Sequence, residues 1–110
     1  MKQLLLVLLL GTTTCVIAKT GTPEHSKAIK IGKCSTIAER LGYKTEANEL
    51  ITAAVSLEIN GAITGDNYTR GVLDTIEQGL ITVDEYREYL GNEYSMNRCK
   101  TLLDEIRGNR

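Results

Sequence analysis

The sequence contains no phenylalanine or tryptophan, one proline and one histidine among its 110 residues. The lack of large apolar aromatic side chains counts against a holdase chaperone, which needs them to capture unfolded clients. The charge is balanced, with 13 Lys and Arg against 14 Asp and Glu, and this excludes a strongly basic nucleic-acid-binding protein. Apolar residues make up 42% of the chain and charged residues 25%, which is typical of one small globular domain.

The first eighteen residues have the pattern of a secretory signal peptide. Lys2 supplies a positive start, and residues 4–10 are an unbroken run of leucine and valine. Val16 and Ala18 suit signal peptidase three residues before and one residue before its cut, so we predict cleavage after Ala18. The apolar run is too short to cross a bilayer, which takes about 20 residues. A buried N-terminal helix is the alternative, but we expect export, to the periplasm or to the medium.

Cys15 allows a second interpretation of the N-terminus. Bacterial lipoproteins are cut directly before a cysteine that then carries lipid, and their recognition box has leucine three residues before it and a small residue directly before it. Thr12 and Thr14 occupy those positions here, so the fit is poor. We therefore expect membrane association only if Cys15 is lipidated, and otherwise that Cys15 is removed with the leader.

Cleavage after Ala18 leaves 92 residues (110 − 18) and two cysteines, Cys34 and Cys99. An even number of cysteines in a small exported domain predicts a disulfide. The bond would close a loop of 65 positions (99 − 34), which in the chain-entropy model stabilises the fold by about 4 kcal/mol. A bond between two copies of the chain is the alternative. Because no Cys-x-x-Cys pair or Cys/His cluster is present, no zinc site is expected.

Glycines recur along the sequence that follows the predicted cleavage site. They predict helix ends, because glycine is the usual residue just past a helix C-terminus. Apolar residues recur at helical spacing between them, and no segment alternates for long enough to predict a strand. The predicted helices cover residues 26–41, 45–60, 66–78, 83–90 and 95–107. The fold class is therefore all-α: a bundle of four to five helices closed by one disulfide. It forms a single domain over residues 26–107, behind a flexible lead-in at residues 19–25.

Two segments resemble each other at an offset of 18 residues. Both segments have a glycine that is expected to end a helix, then an aliphatic residue, a threonine and the start of the next helix. The segments are residues 60–68 and residues 78–86. Thr82 and Glu85 have the spacing of a capping box. The similarity predicts two alike helix–helix corners. A further kink or short break is predicted at Gly91, and one longer helix through this position is the alternative, because Tyr89, Met96, Cys99, Leu103 and Ile106 also fit it.

A catalytic constellation is lacking. The single histidine, His25, lies in the predicted lead-in and is expected to be solvated, and Ser26 beside it does not make a triad. Adjacent acidic residues such as Asp84 and Glu85 point to different sides of a helix, so paired acid–base carboxylates are not indicated. Neither a phosphate-binding glycine loop nor a metal-ligand spacing is found. We therefore predict no enzymatic activity, no cofactor and no metal.

All five aromatic residues are tyrosines, and three of them lie close together in the sequence: Tyr86, Tyr89 and Tyr94. Tyrosine combines apolar area with a polar tip, which suits half-buried positions and interfaces. The three residues either rim the core or form part of a face that binds another protein. We take them as the candidate partner-binding site.

In general build, the predicted protein is similar to small exported helical proteins with one disulfide, such as bacterial acid-stress chaperones, periplasmic immunity proteins and secretion pilotins. The similarity covers size and cysteine placement and no motif, so it transfers no functional residue. We expect a non-enzymatic protein that binds another protein, as an inhibitor or immunity factor in the cell envelope. The alternatives are a periplasmic acid or stress holdase and a pilotin-like accessory of a secretion or conjugation machine.

Overall fold

The computed structural model describes residues 22–79 and 82–108, which form five α-helices with no strand among them. The helices are α1 (Pro23–Leu41), α2 (Lys44–Leu57), α3 (Ile59–Glu77), α4 (Val83–Met96) and α5 (Cys99–Gly108). The all-α prediction is confirmed, at the upper end of the expected number of helices. The predicted leader, its cleavage after Ala18 and the cysteine at position 15 lie outside the described residues.

The first helix begins three residues earlier than predicted. The Thr22 hydroxyl accepts a hydrogen bond from the backbone N–H of His25 (3.1 Å). Pro23 occupies the first helical position, where a backbone N–H has no partner within the helix. Residues 23–25 are therefore the first turn of α1 and not a flexible lead-in. The helix α1 ends where it was predicted to end, at Gly42. This glycine has φ 89°, and its N–H donates a hydrogen bond to the carbonyl oxygen of Glu39 in the last turn.

The chain turns between α2 and α3 on a single residue, Glu58. Its backbone is extended, and its side chain caps α3 by accepting the N–H of Gly61 (2.6 Å). The third helix therefore begins at Ile59, whereas the sequence predicted a stop at Gly61 and a new start at Asp66. The predicted corner in residues 60–68 is wrong, because this segment is the interior of α3.

Gly61 and Gly65 serve the packing of α3 on α1, and neither ends a helix. They lie one turn apart on the same side of α3. A Cβ on Gly65 would lie 2.2 Å from the carbonyl oxygen of Ile29. On the facing helix, a Cβ on Gly32 would lie 2.7 Å from the carbonyl oxygen of Ala62. The backbones of α1 and α3 thus approach so closely that only glycine fits at the crossing.

The fourth helix starts as predicted and ends later. The Thr82 hydroxyl accepts the N–H of Glu85 (3.1 Å), and the Glu85 carboxylate accepts the N–H of Thr82 (2.9 Å), which confirms the capping box. The predicted break at Gly91 is wrong, because α4 continues to Met96 and tolerates this exposed glycine. The chain breaks after α4 instead, where Arg98 has φ 53°.

The first helix is the centre of the fold and contacts all four others. The main core cluster lies between α1, α2, α3 and α5 and contains the disulfide between Cys34 and Cys99. Both cysteines are fully buried, with Cα atoms 5.4 Å apart. The predicted disulfide is confirmed as a bond within one chain. A second cluster, formed by Ile37, Leu73 and Leu90, joins α1, α3 and α4.

Candidate binding surface

The three tyrosines singled out in the sequence lie on the core-facing side of α4. Tyr86, Tyr89 and Tyr94 are each half-buried and pack against the second core cluster. Arg40 donates a hydrogen bond from Nη1 to the Tyr86 hydroxyl (3.1 Å). The Tyr94 ring meets the Tyr43 ring edge-on, with centroids 5.7 Å apart. These contacts hold the side chains within the fold, and their role in binding a partner stays a prediction.

A small cavity lies beside one of these tyrosines, between α1, α3 and α4. Tyr89 and Tyr68 line it together with Lys33, whose ammonium group is 5.9 Å from the centre of the Tyr68 ring. Burial, with a smaller effect of the negative charge on Glu93, raises the pKa of Tyr89 above its ordinary value. The cavity measures about 190 Å³, which is below the about 300–1,000 Å³ of typical ligand pockets. It is therefore a weak candidate for a ligand site.

The surface of α2 and α3 between Thr45 and Gly71 stands out because none of its exposed residues is charged. From Thr45 to Gly71, every residue that the structure shows as exposed is uncharged. We call these residues the α2–α3 face: Thr45, Asn48, Thr52, Val55, Ser56, Leu57, Ile59, Asn60, Ile63, Thr64, Asn67, Tyr68 and Gly71. By contrast, the exposed residues of α5 include Lys100, Asp104 and Glu105. Since the solvent-facing sides of helices are normally charged, this face is a candidate for contact with something other than water.

Charged residues of the same stretch are half-buried, and most of them bond to other parts of the fold. Glu49 forms an ion pair with Arg107 of α5 at 2.6 Å. Asp66 accepts a hydrogen bond from Arg70 at 2.9 Å, and Arg70 in turn lies 3.2 Å from the carboxylate of Glu39 on α1. Glu49, Asp66 and Arg70 therefore each have a partner of opposite charge within the fold.

The elbow between α2 and α3, which is the single residue Glu58, also has a hydrogen-bond partner within the fold. Glu58 is the only charged residue between Leu50 and Gly65, and its Oε1 lies 2.8 Å from Nδ1 of His25. The bond to His25, together with the N–H of Gly61, lowers the pKa of the Glu58 carboxyl below its usual range. His25 is therefore a half-buried partner of the elbow, not the solvated residue that the sequence predicted.

Both α2 and α3 pack mainly on α1, and we call the space between their outward sides the groove. Ser35 of α1 forms part of its floor, where the hydroxyl donates a hydrogen bond to a backbone carbonyl of α2 (2.8 Å). At the end away from the elbow, the groove contains a cavity of about 390 Å³. Asn48 and Ile51 of α2 and Asp66 and Arg70 of α3 line this cavity.

Residues three or four positions apart lie on the same side of a helix, so the residues that follow at this spacing on α2 and α3 form the two walls of the groove between the cavity and the elbow. On α2, residues at intervals of three or four are Lys44, Asn48, Ile51 and Val55; on α3 they are Ile59, Ile63, Asp66 and Arg70. The two helices run in opposite directions, so the aliphatic residues of both walls meet at the elbow. The polar and charged residues of both walls meet at the other end.

A second cleft flanks α2 on the side of α5. Its volume is about 460 Å³, and Thr52, Ala53 and Ile106 are among the residues that line it. Thr52 and Asn48 belong both to this cleft and to the α2–α3 face. The cleft therefore borders the α2–α3 face, and Glu49, which forms the ion pair with Arg107, also lines it.

Sequence reasoning missed this face, although a signal for it was present. Charged residues make up 25% of the chain, yet residues 50–65 contain a single charge, at Glu58. The signal was obscured because Gly61 was interpreted as a helix end. That interpretation divided one continuous uncharged helix surface into a helix, a corner and a second helix.

Within residues 22–79 and 82–108, no three His, Cys, Asp or Glu side chains come together as metal ligands, and no helix is long and apolar enough to cross a bilayer. No protein-family model, no curated protein and no solved structure matches the chain. Its function is therefore argued from the surface itself.

Proposed function

We propose that this chain is an exported, non-enzymatic protein that binds a protein partner through the α2–α3 face, as an inhibitor or immunity factor of the cell envelope does. The proposal depends on one observation: this face exposes aliphatic side chains and no charge. Val55, Ile59 and Ile63 are 43%, 53% and 49% exposed. The cores of protein interfaces are depleted of charged residues, and covering an uncharged surface avoids the cost of desolvating ions.

The disulfide supports export. The bond between Cys34 and Cys99 joins the first and last helices, and such bonds persist in oxidising compartments such as the bacterial periplasm. The apolar run and the small residue at the expected cleavage position agree with the same destination.

The hydrogen-bonded pair of His25 and Glu58 is better explained as a structural contact between α1 and the elbow than as a catalytic dyad. The same oxygen of Glu58 that meets His25 also accepts the N–H of Gly61 and so caps α3. The lowered pKa of Glu58 keeps it ionised at neutral pH, which is unsuitable for a general acid. Both side chains hold the first turn of α1 against the elbow.

Photo-cross-linking in the native host tests the proposal. A photoreactive amino acid at Ile63, on the α2–α3 face, is expected to capture a partner protein. The same amino acid at Arg87, which is exposed on α4, is expected to capture none. Both positions are exposed, so neither replacement disturbs the core. Lack of capture at Ile63, or capture of the same proteins from both positions, contradicts the proposal.

A second candidate function, an acid-stress holdase, is favoured by the chemistry of the elbow. Glu58 holds the elbow, and the exposed side chains of Leu57 and Ile59 flank it. Acid protonates Glu58 and weakens both of its hydrogen bonds, which loosens α2 and α3 next to apolar surface.

A further inference from the structure

We infer that the partner segment is an amphipathic α-helix that lies along the groove between α2 and α3. Its apolar residues cover Val55 and Ile63 near the elbow, and an acidic residue near its other end meets Lys44. This inference rests on the proposed function, because it names the kind of partner that the same face fits.

The backbone of the protein favours a helical partner over an extended one. An extended peptide gains affinity by adding a strand to the open edge of a sheet, and the described residues contain no sheet. A helix satisfies its own backbone hydrogen bonds and needs only a groove between side chains. The α2 wall has 14 residues, or about 21 Å at 1.5 Å per residue, so it matches a partner helix of similar length.

The elbow end of the groove determines the apolar side of the partner. Val55, Ile59 and Ile63 are exposed there, and the only nearby charge, Glu58, is bonded to His25. A charged side chain of the partner placed over these residues would lose its hydration, and the one nearby carboxylate is already bonded to His25 and to the N–H of Gly61. The side of the partner helix that contacts this end is therefore aliphatic. The opposite side of the partner helix faces water, which makes the helix amphipathic.

The other end of the groove determines where the partner carries charge. Arg70 already lies between Glu39 and Asp66, at 3.2 and 2.9 Å. Lys44, in contrast, has no ion pair among the described residues. It is also the first residue of α2, where the helix dipole adds partial positive charge. A carboxylate on the partner complements this end of the groove.

Two photoreactive positions on one wall distinguish a helical partner from an extended one. Asn48 and Val55 are exposed on the same side of α2 and seven residues apart, so they are separated by about 10 Å along the helix axis. Mass spectrometry then identifies the residues that each position captures. In a helical partner the two captured residues lie about seven apart in sequence. In an extended partner they lie about three apart.

The outcomes separate the inference from the proposed function. A spacing of about seven residues within one segment, with aliphatic residues captured from Val55, supports the inference. A spacing of about three, or capture of a second copy of this chain, overturns it while the proposed binding face stands. Capture of lipid alone, or of nothing from either position, overturns both.

Charge reversal tests the orientation of the partner helix. Lys44→Glu is expected to reduce the yield of partner captured from Val55 about fivefold, because an attraction becomes a repulsion. Arg87→Glu, an equal charge change on α4, is the control and is expected to leave the yield unchanged. Equal yields from Lys44→Glu and the control overturn the orientation.

Discussion

Gly65 lies where the backbone of α3 touches α1, and only hydrogen fits between it and the carbonyl oxygen of Ile29. Gly71, six residues further along the same helix, faces open space. The same residue type therefore has opposite effects at the two positions. At Gly71 its backbone freedom only weakens the helix, whereas at Gly65 it is needed for the two helices to pack.

Gly65→Ala is expected to lower the free energy of unfolding by about 1–3 kcal/mol, because the added methyl group forces α3 away from α1. Gly71→Ala is the matched control and is expected to raise it by about 0.5–1 kcal/mol, since alanine favours a helix and meets no neighbour. Urea unfolding followed by circular dichroism measures both values. Equal effects of the two substitutions would contradict the close helix crossing.

Glu58 makes the stability of the elbow depend on pH. Its pKa is lowered in the folded state, so its contribution is complete above about pH 4.3, the ordinary value for glutamate, and is lost as the pH falls through the folded value. Glu58→Gln removes the charge that favours His25 and the N–H of Gly61. We therefore expect a lower Tm than the wild type at pH 7.

The difference in Tm between Glu58→Gln and the wild type is expected to shrink as the pH is lowered, because the wild-type carboxyl then becomes neutral as well. Thermal unfolding across about pH 3 to 7 measures it. Glu105→Gln is the control, since Glu105 forms an exposed pair with Lys27 at 3.5 Å and is expected to change little. A difference that stays constant with pH would show that the charge of Glu58 is unimportant.

At the scale of helices, the disulfide and α1 organise the fold. The first helix contacts every other helix, and Cys34 near its middle is bonded to Cys99 at the start of α5. The last helix has only ten residues, which is too short for a stable isolated helix. Its position therefore depends on the disulfide and on the packing of Leu103 in the main core cluster.

Removing the disulfide by the double substitution Cys34→Ala and Cys99→Ala is expected to lower the free energy of unfolding by about 4 kcal/mol, because the loop between the cysteines is long. Urea unfolding of the double variant and of the oxidised wild type measures the loss. Hydrogen exchange is expected to show α5 exchanging first. An unchanged unfolding midpoint would mean that packing alone holds α5 in place.

At the scale of the whole molecule, charge is unevenly distributed over the surface, whereas exposed apolar side chains occur both on the α2–α3 face and on α4, at Val83 and Met96. The α2–α3 face exposes aliphatic and small polar residues, whereas α4 and α5 expose most of the acidic and basic residues that follow it in the chain. The proposed binding function depends on this uncharged face, since a surface of mixed charges is favoured in a protein that only has to stay dissolved.

Dye binding discriminates between the two candidate functions. A folded binding protein is expected to bind little of a fluorescent apolar dye at pH 7 and little more at about pH 3. A holdase released by protonation of Glu58 is expected to bind strongly at about pH 3 and to lose the signal when the pH is restored. No increase in acid excludes the holdase, whereas a strong reversible increase favours it over the proposed function.

The sequence alone was sufficient for features that depend on near neighbours in the chain. Thr82 and Glu85 form the capping box that their spacing predicted, and Gly42 ends α1 in the conformation that glycine favours. The disulfide could also be predicted, because only two cysteines remain after the expected cleavage. In each case the chemistry is local or the number of choices is small.

Only the tertiary structure decided what depends on which helices meet. Gly61 reads as a helix end in the sequence, but the approach of α1 makes it a contact position inside α3. His25 reads as solvated, but the elbow places Glu58 beside it. The uncharged face likewise exists only because α2 and α3 lie side by side on α1, which combines two separate stripes into one surface. The intrinsic preference of a residue for a helix depends on its near neighbours in the chain, whereas packing depends on residues far apart in sequence. This is why packing decided the role of Gly61, the partner of His25 and the uncharged face.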